Sequence, residues 1–233
     1  MDCKVYRKSI VLFVAILSQL TLPAQSTQQW RDSLQVLSRQ LKAEPANLDL
    51  HLRKAAVNIE LGQWEYAADE YTLVLAKDEK NPAARFYRAY TNTQLKRYDQ
   101  ALYDYDELLR QAPTHFEARL GHAYVQQKIG RKTEALDELN LMVEMFPDSA
   151  TVYAVRAGLE QDMKQNELAL YDWQQAEQHD SLNAEYVASH VELLLLQYRN
   201  QEALAVLDAA VRRGIPRGLL NPLYSRCRRQ MKK

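Results

Sequence analysis

The 233 residues include 30 basic and 30 acidic side chains, so the chain has no formal net charge and lacks the basic excess of a nucleic-acid-binding protein. Six glycines exclude a phosphate-cradling loop, because none falls in such a motif. Of two cysteines only Cys227 lies beyond the first 26 residues, which excludes an internal disulfide and leaves stability to helix packing.

Residues 1–26 read as an export signal. Lys4, Arg7 and Lys8 precede an apolar run from Ile10 to Leu17, too short to span a bilayer comfortably, and Ala24 and Ser26 form a small-x-small exit; an uncleaved membrane anchor is the alternative reading. Cleavage is expected after Ser26, with Ala24 as the alternative, which predicts a periplasmic or envelope-associated protein with no transmembrane span in the mature chain.

Beyond the signal, one period of 34 residues organises the sequence. Ala55, Ala89, Ala123, Ala157 and Val191 form one column, and Ser33, Ala67, Ala101, Ala135, Ala169 and Ala203 a second. Leu37, Tyr71, Tyr105, Leu139, Trp173 and Leu207 form a third that is always large and apolar; Pro45, Pro113 and Pro147 belong to a fourth. A fixed period of this size marks stacked units, none of which buries its apolar face alone.

A lone helix over residues 28–43, with Trp30, Leu34, Leu37 and Leu41 on one face, is expected to cap the stack within 27–47. Five units follow at 48–81, 82–115, 116–149, 150–183 and 184–217, each two helices and a tight turn. Gly62 and Gly130 stand where the first helix must end, and Lys96, Lys164 and Tyr198 hold the same place elsewhere. Asp148 and Ser149 are expected to cap the next helix. Lys54, Arg88, His122 and Arg156 at unit position 7 each precede an acid by 16 residues, Glu70, Asp104, Glu138 and Asp172, which predicts an ion pair in each of four units. Histidine titrates near neutrality, so His122 with Glu138 has a proton switch as its alternative reading. In the fifth unit Val191 and Leu193 to Leu196 are too apolar for open water, and a helix near Leu219–Met231 within 218–233 is the expected cover.

These columns resemble the tetratricopeptide repeat, with a small residue at position 8, alanine at 20, a large apolar residue at 24 and proline at 32. The match covers about 200 residues in one phase. His51, Arg85 and Arg119 depart from the usual bulky residue at position 4, and Asn58, Asn92, Gln126 and Glu160 at position 11. The resemblance implies an all-α, right-handed α-solenoid of five tandem helix-turn-helix units with a capping helix at each end, one continuous array. It also implies a concave face lined by the first helices. Carried over by position, the peptide-binding groove comprises Leu52, Phe86, Tyr90, Gln94, Leu120, Tyr124, Gln127 and Lys128. Chaperone-binding relatives grip a terminal carboxylate with lysine and asparagine at positions 5 and 9. Here those places hold Leu52 and Ala56, Phe86 and Tyr90, and Leu120 and Tyr124, so no such clamp is expected.

The expected function is a protein-interaction or assembly module that holds a peptide or helix of an envelope partner. A glycan on the same aromatic faces, or a spacer using ends and convex face, are the alternatives. His51, His115, His122, His179 and His190 show no zinc-ligand spacing, and no catalytic or cofactor constellation stands out, so no enzyme, metal or cofactor is expected. Residues 27–208 sum to minus 10, whereas 209–233 hold eight basic residues and no acid, which suits an acidic partner or lipid surface or, alternatively, a solvated last helix.

Overall fold

The computed structural model describes residues 26–232, and the stretch expected to be an export signal lies outside them except for Ser26. Twelve α-helices form among the described residues: α1 Thr27–Ala43, α2 Leu48–Glu60, α3 Trp64–Lys77, α4 Pro82–Gln94, α5 Tyr98–Gln111, α6 Phe116–Lys128, α7 Lys132–Met145, α8 Ala150–Asp162, α9 Asn166–His179, α10 Ala184–Leu196, α11 Asn200–Arg213 and α12 Arg217–Gln230. The fold is the expected all-α class of tandem helix-turn-helix repeats. By contact the described residues gather into two compact units, 26–135 and 136–232.

Local chemistry sets each boundary. The five first helices begin behind side chains that accept from their own backbone: Asn47 from Leu50, Asn81 from Ala84, His115 from Ala118, Ser149 from Val152 and Asn183 from Tyr186. They lie 34 residues apart, each filling one of the orphan donors at a helix start. The first helices end through a left-handed residue, Gly62, Lys96, Gly130, Lys164 or Tyr198. Glycine adopts that conformation freely; the two lysines and the tyrosine, at φ of 59 to 62°, are held there by the turn.

In the first unit the helices pack in sequence, α1 on α2 through to α5 on α6. Ala55, Ala67, Ala89 and Ala101 are fully buried, as the small columns require. Phe86, Tyr105, Leu108 and Val125 form a cluster around Ala89, Ala101 and Ala118. A methyl group at Gly121 would stand 2.8 Å from Cε1 and 2.5 Å from the hydroxyl of Tyr105, so only glycine admits that ring.

The departures at position 4 have a common cause. His51 Nε2 lies 3.0 Å from the Pro45 carbonyl, Arg85 Nη2 donates to Glu79 and Arg119 Nε to Pro113. Each side chain ties down a carbonyl of the turn before its own helix.

Ion pairs form as expected in three of the repeats. Lys54 Nζ is 2.5 Å from Glu70, Arg88 grips Asp104 at 2.7 and 2.8 Å, and Arg156 grips Asp172 at 2.6 and 2.9 Å. His122 Nε2 stands 3.1 Å from Asp106. In the fifth repeat, where the acid is absent, His190 turns to Glu177 at 2.7 Å, which also takes Arg213 at 2.6 Å.

In the second unit α12 lies against both α10 and α11. It buries Leu220, Leu223, Tyr224 and Cys227, and the Tyr224 hydroxyl donates to Asp208 at 2.6 Å. Val191, Leu193, Leu194 and Leu195 are covered, but Leu196, the last residue of α10, faces water. Burial raises the Cys227 thiol pKa and closes it to a partner cysteine.

Candidate functional site

The eight expected groove residues all belong to the first unit and sit on its first helices, α2, α4 and α6. Their exposure divides them. Phe86 is 6% exposed, packed edge-on against Tyr105 and stacked on His115 at 5.3 Å. Tyr90 is 7% exposed, its ring meeting Trp64 edge-on at 6.0 Å, and Leu120 is buried. These three form the backing of the face.

What reaches solvent is Leu52, Gln94, Tyr124, Gln127 and Lys128, all partly buried. The Lys128 ammonium stands 4.8 Å from the centre of the Tyr124 ring, a cation–π contact. Burial pushes the Tyr124 hydroxyl up to about 12, with Tyr98 adding to the shift, so it stays a neutral donor. The strip offers amides, one aromatic edge and one cation, a chemistry for hydrogen-bonding an extended segment.

A second feature escaped the sequence reading. Each unit has a crevice where the second helices of consecutive repeats part: one of about 480 Å³ between α3 and α5 over α4, the other of about 440 Å³ between α9 and α11 over α10. Both occupy the same repeat positions: Arg88, Asn92, Arg97 and Asp104 in the first correspond to His190, Leu194, Arg199 and Val206 in the second. The departure at position 11 was the available signal, because a polar side chain there lies under the crevice.

Among the described residues no three or more His, Cys, Asp or Glu side chains are placed to hold a metal ion. None of their helices is long and apolar enough to cross a membrane. The geometry is that of a repeat scaffold offering surfaces.

Comparison with known proteins gives that class its family. The tetratricopeptide-repeat family matches the sequence twice, over residues 59–116 and 92–159. A tetratricopeptide repeat protein from Parabacteroides merdae superposes with a TM-score of 0.65 at 22% identity, covering 96% of this chain and 92% of its own. MamA from Desulfovibrio magneticus gives 0.62 at 19% identity over 71% and 93%. YrrB, described as a TPR protein with an unusual peptide-binding site, gives 0.59 at 15% over 84% and 98%. No curated protein matches the sequence. The chain belongs to the tetratricopeptide-repeat family.

Proposed function

We propose that this is an exported interaction module that holds a peptide or helix of an envelope protein along the first-helix face of residues 26–135. The observation that carries it is the partly exposed strip of Gln94, Tyr124, Gln127 and Lys128 on a buried backing of Phe86, Tyr90 and Leu120. Pre-ordered side chains lose little entropy when a segment docks. YrrB, of the same fold, supports a peptide as ligand class.

Export rests on the basic head and apolar run of residues 4–17. Ser26 closes a capping box with Gln29 at the start of α1, so cleavage after Ala24, which keeps that cap, suits the fold better than cleavage after Ser26. The basic stretch 209–233 is a second contact for an acidic partner or lipid surface.

The test is capture from an envelope extract with the mature chain and with a Tyr124→Ala, Gln127→Ala, Lys128→Ala variant of unchanged helicity. Phe86 and Tyr90 are spared because their truncation would unsettle the core. A partner held by the first bait and lost from the second is the expected result. The same partner on both baits overturns the groove reading and turns attention to the basic stretch.

A further inference from the structure

Many cations of the chain find an acid close by: Arg97 meets Glu65, Arg156 grips Asp172, and Arg199 holds both Glu167 and Glu202. Helix α12 departs from this. It turns its buried side to α10 and α11, and Arg226, Arg228 and Arg229, on the rest of its surface, form no ion pair among the described residues. Leu219, Pro222, Arg226 and Arg229 recur at i, i+3, i+7 and i+10, so they share one stripe of the helix. Leu219 is 64% exposed, and Pro222 and Arg229 also face water. The stripe is apolar at its start and cationic at its end.

The acid that answers it is supplied by the same sequence. Residues 136–208 hold 14 acidic side chains against three basic ones, Arg156, Lys164 and Arg199. On α7, Asp137, Leu141 and Glu144 recur at i, i+4 and i+7 and are all exposed, and neither acid has an ion pair among the described residues. Laid antiparallel, the two stripes set Arg226 against Asp137 and Pro222 against Leu141, with Leu219 beside Leu141. Laid parallel with the same residues in step, Arg226 would meet Leu141 and its charge would go unanswered.

We infer that α12 of one molecule docks antiparallel on the Asp137, Leu141 and Glu144 face of α7 in a second copy of this chain. The inference rests on the reading of 209–233 as a contact and names its partner; the groove residues take no part. An anionic lipid surface suits α12 less, because it would draw the acids of the same unit toward like charge. Two different faces make a head-to-tail contact, so association continues past the dimer unless it closes into a ring. One helix against another is a small interface, which gives a Kd of about 100 μM and a strong dependence on salt.

The experiment is sedimentation equilibrium on the full mature chain at up to about 300 μM, in about 20 mM and about 500 mM salt. The expected result is a mass that rises with concentration at low salt. High salt, Arg226→Asp and Asp137→Arg should each weaken this association at least about tenfold. Mixing the two variants should restore it, because the mixture keeps an intact Arg226 on one chain and an intact Asp137 on the other. Circular dichroism checks that both variants fold, and they lie on different helices, so a loosened α12 would not touch the second. A monomer throughout at low salt overturns the inference, as does association that neither substitution weakens or that mixing does not restore. A monomer that binds phosphatidylglycerol vesicles, and loses them on Arg226→Asp, also overturns it while leaving 209–233 a contact for lipid.

Discussion

Glu160 on α8 shows what burial does to a single group. It is 5% exposed, and its Oε2 has no hydrogen-bond partner among the described residues. Burial pushes its pKa up to about 7, Asp172 adds to the rise, and Arg156 opposes it incompletely because its guanidinium already grips Asp172. An unfolded glutamate titrates at about 4.3, so the folded state holds this proton more tightly than the unfolded one. Its contribution is therefore fully present below about pH 4 and is lost as the pH rises through about 7. Glu160→Gln should be nearly neutral at pH 4 and stabilising by on the order of 2 kcal/mol at pH 8. Urea melts at the two pH values check this; equal effects at both would show that the carboxyl is not held neutral.

At this scale the ion pairs were legible in the sequence because both partners are side chains that recur at fixed places. Arg85 and Arg119 were legible only as departures, since what they hold is a backbone carbonyl, which no residue letter marks. The burial of Phe86 and Tyr90 was hidden for another reason. Position on the helix faces was readable, but depth is set by Tyr105 and Trp64, contributed from neighbouring helices.

Among the elements, α12 acts as a lid on an otherwise wet apolar surface. Its four inward residues, Leu220, Leu223, Tyr224 and Cys227, recur at helical spacing, and Pro222 falls on the outward side, among exposed neighbours. The Tyr224–Asp208 bond and a contact from Gln230 Nε2 to the Leu195 carbonyl at 3.4 Å fasten it to α11 and α10. The need for such a cover was legible in the leucine run of α10; its start at Arg217 was not, because Pro216, the residue before the helix, offers no side-chain cap. Ending the chain at Pro216 should expose the α10 and α11 faces, giving strong binding of a hydrophobic dye and aggregation during gel filtration. The milder Leu220→Ala should keep the fold and cost about 2–5 kcal/mol. A truncated chain that stays monomeric and dye-silent would mean that α12 rests on a face already stable in water.

At the scale of the whole molecule, the question is how far a local loss travels. Repeat proteins are held by contacts within a unit and with its neighbours, so stability is a sum of local terms instead of one global transition. The chain's division into two compact units agrees with this. Asp104 is the place to test it. Fully buried, it receives two bonds from Arg88 and lies 3.5 Å from Arg85, which is itself buried. Asp104→Asn removes the charge that both guanidinia answer and should cost about 3–5 kcal/mol locally. Amide hydrogen exchange should then show protection falling across α3 to α6 and unchanged in α10 to α12. An equal fall in every helix would mean that the chain opens as one cooperative body, and that the contacts dividing it into two units do not divide its stability.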